Sequence, residues 1–278
     1  MTTMRLFQER RVSAAAQWAR SVSAFSAVLA LTAAVGHRYG MVDTLAFIWV
    51  ELLAAALAMI GLLLAIVGFR RLWVEGDVAG RASALAVVLS VLVLAPFTAA
   101  GYFAFRYPPL NDISTDLSEP PIFVFAPRDR TGQMNPITPI TAAEAELQRA
   151  GYPEVRGRRF DASMERVLDA IEVVVATRGW MPRAPLPDTL PMAAELSIEV
   201  QAPTLLVRLP ADAVIRLTDE GESVFVDMRM SSRYGAHDLG DNARRIRGFL
   251  DEVDAEFTRQ SLSIIDIPAS TEEEDPVE

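Results

Sequence analysis

Apolar positions are distributed along this chain in two different ways. Up to residue 106 they form three nearly continuous runs, from about Ser21 to Val35, Thr44 to Phe69 and Ala82 to Phe105. A helix that crosses a bilayer needs about 20 mainly apolar residues, so each run predicts a transmembrane helix, the first being the shortest. Beyond residue 106 the apolar positions become periodic. Thr141 to Ala150 reads as a short helix ending at Gly151. Met164, Val167, Leu168, Ile171, Val174 and Val175 follow helical spacing between a predicted N-cap at Asp161 and a stop at Gly179.

Period-two alternation then predicts strands at Leu196–Gln201, Leu205–Leu209, Val214–Thr218 and Val224–Ser231. The joining turns at Ala202-Pro203, Pro210-Ala211-Asp212 and Asp219-Glu220-Gly221 are short, which favours an antiparallel four-stranded meander. A last amphipathic helix runs from Asp238 to about Gln260. Helices on both sides of a run of strands indicate an α+β domain with helices packed on one sheet face. The expected organisation is therefore a membrane domain over 1–106, an α+β domain over 107–269, and a disordered acidic tail over 270–278.

Charge divides the chain at the same place. Residues 1–106 hold nine of the 26 Arg and five of the 36 acids, a net +4, leaving seventeen Arg and thirty-one acids, a net −14, for the rest. Arg5, Arg10, Arg11 and Arg20 precede the first run, Arg38 alone lies in the first connection, and Arg70, Arg71 and Arg81 occupy the second. Positively charged connections stay cytoplasmic, so residues 107–278 are expected outside the cytoplasm; in a bacterial cell that is the periplasm, with the anchor in the inner membrane. Trp18 and Trp73 fit the inner interface, and Trp49, Tyr102 and Tyr107 the outer. The first run also has the features of a signal peptide, a basic leader and small residues around Thr32-Ala33-Ala34. Cleavage there would leave the topology of the large domain unchanged.

Composition excludes several classes of function. With no Cys there is neither a disulfide framework nor a thiolate site. Net negative charge argues against nucleic acid as a partner. Glu51 is the ionisable residue inside a span; it lies near Asp43 and within reach of Arg38, which suits a structural role. Small residues at spacing four, Ala54 and Ala58 in one run and Ala82, Ala86 and Ser90 in another, allow close helix approach, and Pro96 is placed to kink the third helix. The spans carry no chain of polar residues, so an anchor is expected rather than a pore.

Two dense polar stretches remain. Asn111-Asp112-Ile113-Ser114-Thr115-Asp116 is followed by Pro120-Pro121, and Arg229-Met230-Ser231-Ser232-Arg233-Tyr234-Gly235-Ala236-His237-Asp238-Leu239-Gly240-Asp241-Asn242 continues to Arg245-Ile246. Together they resemble the uncharacterised domain-of-unknown-function family 1499, with its Thr-Asp and Pro-Pro near the start and Ser-Arg-x-Gly-x-x-Asp-x-Gly-x-Asn-x-x-Arg-Ile near the end. The resemblance covers roughly 110–260. It implies an extracytoplasmic domain and assigns no activity.

The residue types in these stretches allow two readings. Arg229, Arg233, Asn242 and the start of the last helix could surround a small anionic group. Alternatively, Asp112 and Asp116 pair with Arg229, Arg233 or Arg245 and clamp the extended segment from Tyr107 to about Pro139 onto the sheet. Thr115, Ser231, Ser232, Gly235, Asp238, Gly240 and Asn242 complete the candidate set. Asp238 is a natural N-cap, and its charge opposes an anion at the same helix start. At about 100° per residue, Asn242 falls about 40° from Ile246 on the apolar face, so its amide should be buried and partnered. The clamp is the favoured reading.

Catalytic templates mostly fail. Ser232, His237 and Asp238 contain the residue types of a hydrolase, but adjacent positions on one loop rarely give triad geometry, and there is no G-x-S-x-G elbow. No cofactor is expected, since the sequence holds no phosphate-binding Gly loop, dinucleotide fingerprint, two-histidine zinc helix or EF-hand. Asp112, Asp116 and Asp238 are the acids from which a metal site would have to be built. The expectation is a non-enzymatic binding or envelope-associated module, its partners being the lipid bilayer and a small anionic ligand or an envelope protein.

Overall fold

The structure, a computed structural model, describes residues 11–185 and 194–265. Arg5 and Arg10 of the leader and the acidic tail at 270–278 lie outside the described residues. The chain divides into two compact units, Met1–Arg106 with Thr204–Leu209, and Tyr107–Pro203 with Pro210–Glu278.

The first unit contains α1 (Ala14–Arg38), α2 (Thr44–Val74) and α3 (Gly80–Arg106), each long and apolar enough to cross a membrane. All three extend past the apolar runs, because a run marks only the apolar part of a helix. Arg70, Arg71 and Trp73 continue α2 until Gly76, whose φ of 74° suits glycine. Asp43 caps α2 by accepting the N–H groups of Leu45 and Ala46. The helices meet through small residues: Ala54, Ala58, Gly61, Ala65 and Gly68 are the buried stripe of α2. Ser23 and Ser90 hydroxyls hydrogen-bond at 2.9 Å, and Ser26 donates to the Ala54 carbonyl. In α3 the buried position of the first turn is Ser83 rather than Ala82, and Pro96 lies within the helix. Leu53, Leu63, Ile66 and Leu92 point outward, as a lipid-facing surface requires. Arg38 does not turn to Glu51; its guanidinium donates to the carbonyls of Leu205 and Leu206.

The second unit is α+β with an antiparallel sheet. In chain order it holds β1 (Asp112–Ser114), α4 (Ala126–Asp129), α5 (Ala142–Gly151), β2 (Arg158–Phe160), α6 (Met164–Thr177), β3 (Met181–Pro182), β4 (Glu195–Gln201), β5 (Ala211–Asp219), β6 (Val224–Ser232) and α7 (Asp241–Ile265). The sheet order is β1-β6-β5-β4-β3, with β2 also paired to β6. Four consecutive strands, β3, β4, β5 and β6, form the antiparallel meander, but the predicted strand at Leu205–Leu209 is not one of them. Leu205–Leu209 alternates like a strand but forms a turn, bracketed by Pro203 and Pro210, which cannot donate to a ladder. β4 and β5 pair directly across it, Gln201 opposite Asp212.

Helix α5 begins with a capping box between Thr141 and Glu144. α6 begins after Ser163 instead of Asp161, and α7 begins three residues after Asp238. One face of the sheet presents Ile215, Leu217, Val226, Met228 and Met230 to Val167 and Ile171 of α6 and to Ile246, Phe249 and Leu250 of α7 in a single core. The other face is also covered. Val214 packs against Phe123, Ala126 and Ile137 of the segment between β1 and α5. Charged side chains of β4, β5 and β6 share that face, and there the two polar motifs converge.

Candidate functional site

Strand β6 organises the site. Its Asp227, Arg229 and Ser231 point away from the main core, as strand alternation requires, yet all three are buried beneath the segment that follows β1. β1 pairs with the end of β6, Asp112 opposite Ser231 and Ser114 opposite Arg229. Asp112 then takes Arg229 two-pronged, Nε to Oδ1 at 2.9 Å and Nη2 to Oδ2 at 3.0 Å. Arg229 also donates to the carbonyls of Thr138 and Pro121 and lies over the Phe123 ring. One guanidinium thus touches both ends of the covering segment.

Thr115 extends the ladder by one residue. Its N–H donates to the Met228 carbonyl and its hydroxyl accepts the Met228 N–H at 2.8 Å. Asp116 closes a turn by accepting the N–H groups of Ser118 and Glu119, and faces Arg216 at 3.5 Å. On the outer side of β1, the Gln148 amide pairs with both the N–H and the carbonyl of Ser114. This satisfies an edge that a three-residue strand would otherwise leave open.

Arg233 pairs with neither Asp112 nor Asp116. It makes a two-pronged contact with Asp212 of β5, at 3.0 and 2.6 Å, while Arg130 reaches the same carboxylate at 2.9 Å and Arg183 at 3.5 Å. Asp212 is fully buried. Burial pushes its carboxyl up, but the hydrogen bonds and charges of Arg233 and Arg130 outweigh that and hold it below the ordinary aspartate range. Asp227 has Arg216 at 2.8 Å, with Asp116 nearby; burial dominates and its carboxyl lies above that range. Glu199 of β4 accepts three consecutive N–H groups, from Val124, Phe125 and Ala126, at the start of α4.

The second motif closes around Asn242, which is fully buried. Its amide donates to the Asn111 carbonyl at 2.9 Å and to the Ser232 hydroxyl at 3.1 Å, joining α7 to β6 and to the chain entering β1. Asp238 accepts the N–H groups of Gly240 and Asn242, occupying the donors of the helix start. Burial outweighs these bonds and raises its carboxyl. Gly240, at φ 76°, sits against the Tyr107 ring, and the Gly235 carbonyl receives the Asn135 amide. Arg245 turns away from both acids of the first motif; it donates to the carbonyls of Ala202 and Pro203, faces Asp241 at 3.6 Å and lies over Trp180. In the signature loop, His237 Nδ1 accepts the Leu239 N–H and Nε2 bonds to the Tyr107 carbonyl. Ser231 is buried, its hydroxyl without a hydrogen-bond partner among the described residues.

The structure therefore brings the two motifs together across β1 and β6 and adds Asp227, which alternation places on the face of Arg229, and Asp212, Arg130, Arg183, Arg216 and Glu199, which no local pattern marked. Among these, Asp212 follows Pro210 and looks like a turn acid, and Arg130 lies in a stretch with no periodicity. Asp112, Asp116 and Asp238 each face different partners, and among the described residues no group of three acids or histidines is arranged to hold a metal ion.

No curated protein and no solved structure matches the chain. The model of a family described as "Protein of unknown function (DUF1499)" matches residues 112–253, from the first residue of β1 to the middle of α7. That range takes in both motifs and the whole sheet, and the chain belongs to the DUF1499 family.

Proposed function

We propose that this protein is a membrane-anchored, non-enzymatic module that displays its α+β domain outside the cytoplasm for binding or for an envelope-associated role. The motif residues act in it as a structural clamp. The observation that carries the clamp is the saturation of the motif by its own neighbours. Arg229 is held by Asp112, Arg233 by Asp212, and the helix-start donors by Asp238. An incoming anion would have to displace a carboxylate that is buried, or largely so, at each place, at the cost of leaving that carboxylate unpaired.

The engagement of both His237 ring nitrogens, and of the Ser232 hydroxyl by Asn242, supports a structural role over a hydrolase. The display reading is supported by the three apolar helices and by the excess of Arg in the second connection over the first.

Two experiments test these readings in the full chain. Arg233→Ala and Asn242→Ala, made separately, are expected to lower the thermal midpoint strongly; unchanged stability with loss of a co-purified small molecule would replace the clamp by a ligand site. A reporter that works only outside the cytoplasm, fused after Glu278, is expected to be active. Activity of a cytoplasm-only reporter at that position would reverse the orientation.

A further inference from the structure

The turn between β4 and β5 groups with the helical unit, and its chemistry is unusual for a turn. Thr204–Leu209 carries two consecutive leucines, Leu205 and Leu206, at 83% and 79% exposure, where Gly, Asn or Asp would ordinarily stand. Arg208 takes a φ of 58°, a left-handed conformation that disfavours a residue with a Cβ. Three successive carbonyls of the turn are nevertheless satisfied from the end of α1: Leu205 and Leu206 by Arg38 at 2.6 Å each, and Val207 by His37 Nδ1 at 2.6 Å. The turn also closes on itself. Thr204 N–H donates to the Leu209 carbonyl, Arg208 N–H to the Thr204 carbonyl, and Leu209 N–H to the Thr204 hydroxyl.

His37 is itself fixed, stacked on Phe47 and bonded to Thr44 at the start of α2. His37 and Arg38 end one candidate span, and Thr44 begins the next. A helix end of this kind sits where hydrocarbon gives way to water. Backbone polar groups are what keep an irregular segment out of lipid, and here many are already bonded within the protein. Tyr39 and Met41, in the connection that follows Arg38, are exposed as well.

From this we infer that the Thr204–Leu209 turn is a lipid-inserting loop, with Leu205 and Leu206 entering the outer edge of the bilayer and His37 and Arg38 holding their backbone at that depth. The inference rests on the reading that α1 and α2 span a bilayer.

The chain has no cysteine, so single labels are unambiguous. Leu206→Cys, Leu205→Cys, Leu63→Cys on the exposed face of α2 and Glu222→Cys in the β5–β6 turn would each carry an environment-sensitive fluorophore. The full chain would be reconstituted in phosphatidylcholine/phosphatidylglycerol nanodiscs. Quenchers attached to lipid acyl chains are expected to quench the label at 205, 206 and 63 and spare 222, whereas iodide quenches only 222. Quenching at 63 with iodide-accessible labels at 205 and 206 overturns the inserted loop and leaves the spans intact. Iodide access at 63 as well overturns both. Arg38→Ala is expected to move the label at 206 from lipid-quenched to iodide-accessible, and an unchanged signal would remove Arg38 from the account.

Discussion

Asp112 and Arg229 lie 117 residues apart in sequence and form a two-pronged ion pair, with the Arg229 side chain 7% and the Asp112 side chain 18% exposed. The pair joins the first residue of the family match to strand β6 and places the guanidinium under the segment that covers the sheet. Removing one partner of a buried pair strands the other charge, which costs about 3–5 kcal/mol. Arg229→Met is expected to fall in that range, measured by denaturant unfolding of the full chain. Asp112→Asn combined with Arg229→Met should recover part of the loss, since no isolated charge remains.

Asp212 gives the domain a signed pH dependence. Its folded pKa is depressed, so its contribution is present above the ordinary aspartate value of about 3.9 and is lost as pH falls through the folded value. Asp227 and Asp238 have raised folded values, so they favour the folded state at lower pH and lose that contribution as pH rises through those values. Thermal midpoints of the α+β unit in the full chain should therefore rise as pH falls toward the ordinary aspartate range, then fall once pH drops below it. A monotonic decline from neutral pH would contradict the raised values of Asp227 and Asp238.

The two signature glycines should respond differently to alanine. Both have positive φ, 86° at Gly235 and 76° at Gly240, which costs a residue with a Cβ about 1–2 kcal/mol. At Gly235 the nearest atom to an added Cβ is 3.6 Å away, while at Gly240 the Cβ would lie 2.7–2.9 Å from the Tyr107 ring. Gly240→Ala should be the more destabilising of the two in a thermal melt. Equal effects would mean that Tyr107 yields freely.

Helix packing in the first unit rests on small residues. A Cβ at Gly68 would lie 3.1 Å from the Ala16 Cβ and 3.3 Å from its Cα, against backbone that cannot swing aside. At exposed Leu63 a side-chain change meets no such neighbour. Gly68→Val should lower the thermal midpoint of the full chain in detergent, and Leu63→Val should leave it within about 0.5 kcal/mol of the parent, as substitutions away from packed features do. A tolerant Gly68 would mean that α1 and α2 separate without cost.

Asn242 is the most informative single position of the second motif. Truncation to alanine leaves the Asn111 carbonyl and the Ser232 hydroxyl, both partly buried, without the amide, and a buried polar group left unsatisfied costs about 1–3 kcal/mol. Asn242→Asp keeps the shape but replaces two N–H donors by acceptors, so it should be at least as damaging as Asn242→Ala at neutral pH. A milder aspartate variant would argue that Asn242 does not donate in the folded state.

Much of this architecture was legible from residue pattern. Period 3.6 located α6 and α7, and alternation located β4, β5 and β6, because each has one face against a core large enough to impose its spacing. The capping role of Asp238 followed from its position before an amphipathic run. The turn at Leu205–Leu209 misled, since alternation alone does not know that prolines at 203 and 210 interrupt the ladder. Strands β1, β2 and β3, with three, three and two residues, are too short for any period to show.

The sequence by itself determined that this protein has three helices apolar enough for a membrane, an acidic α+β domain after them, and membership in a family carried by two polar motifs. These properties depend on composition, periodicity and local spacing, which survive in one dimension. Only the tertiary structure decided which charge meets which. Arg233 and Arg130 converge on Asp212 because strand register sets β5 beside β6 and because the covering segment folds across them, neither of which is encoded near those residues. A buried carboxylate is satisfied by whatever donors the fold delivers to it, and those donors came from 21, 29 and 82 residues away.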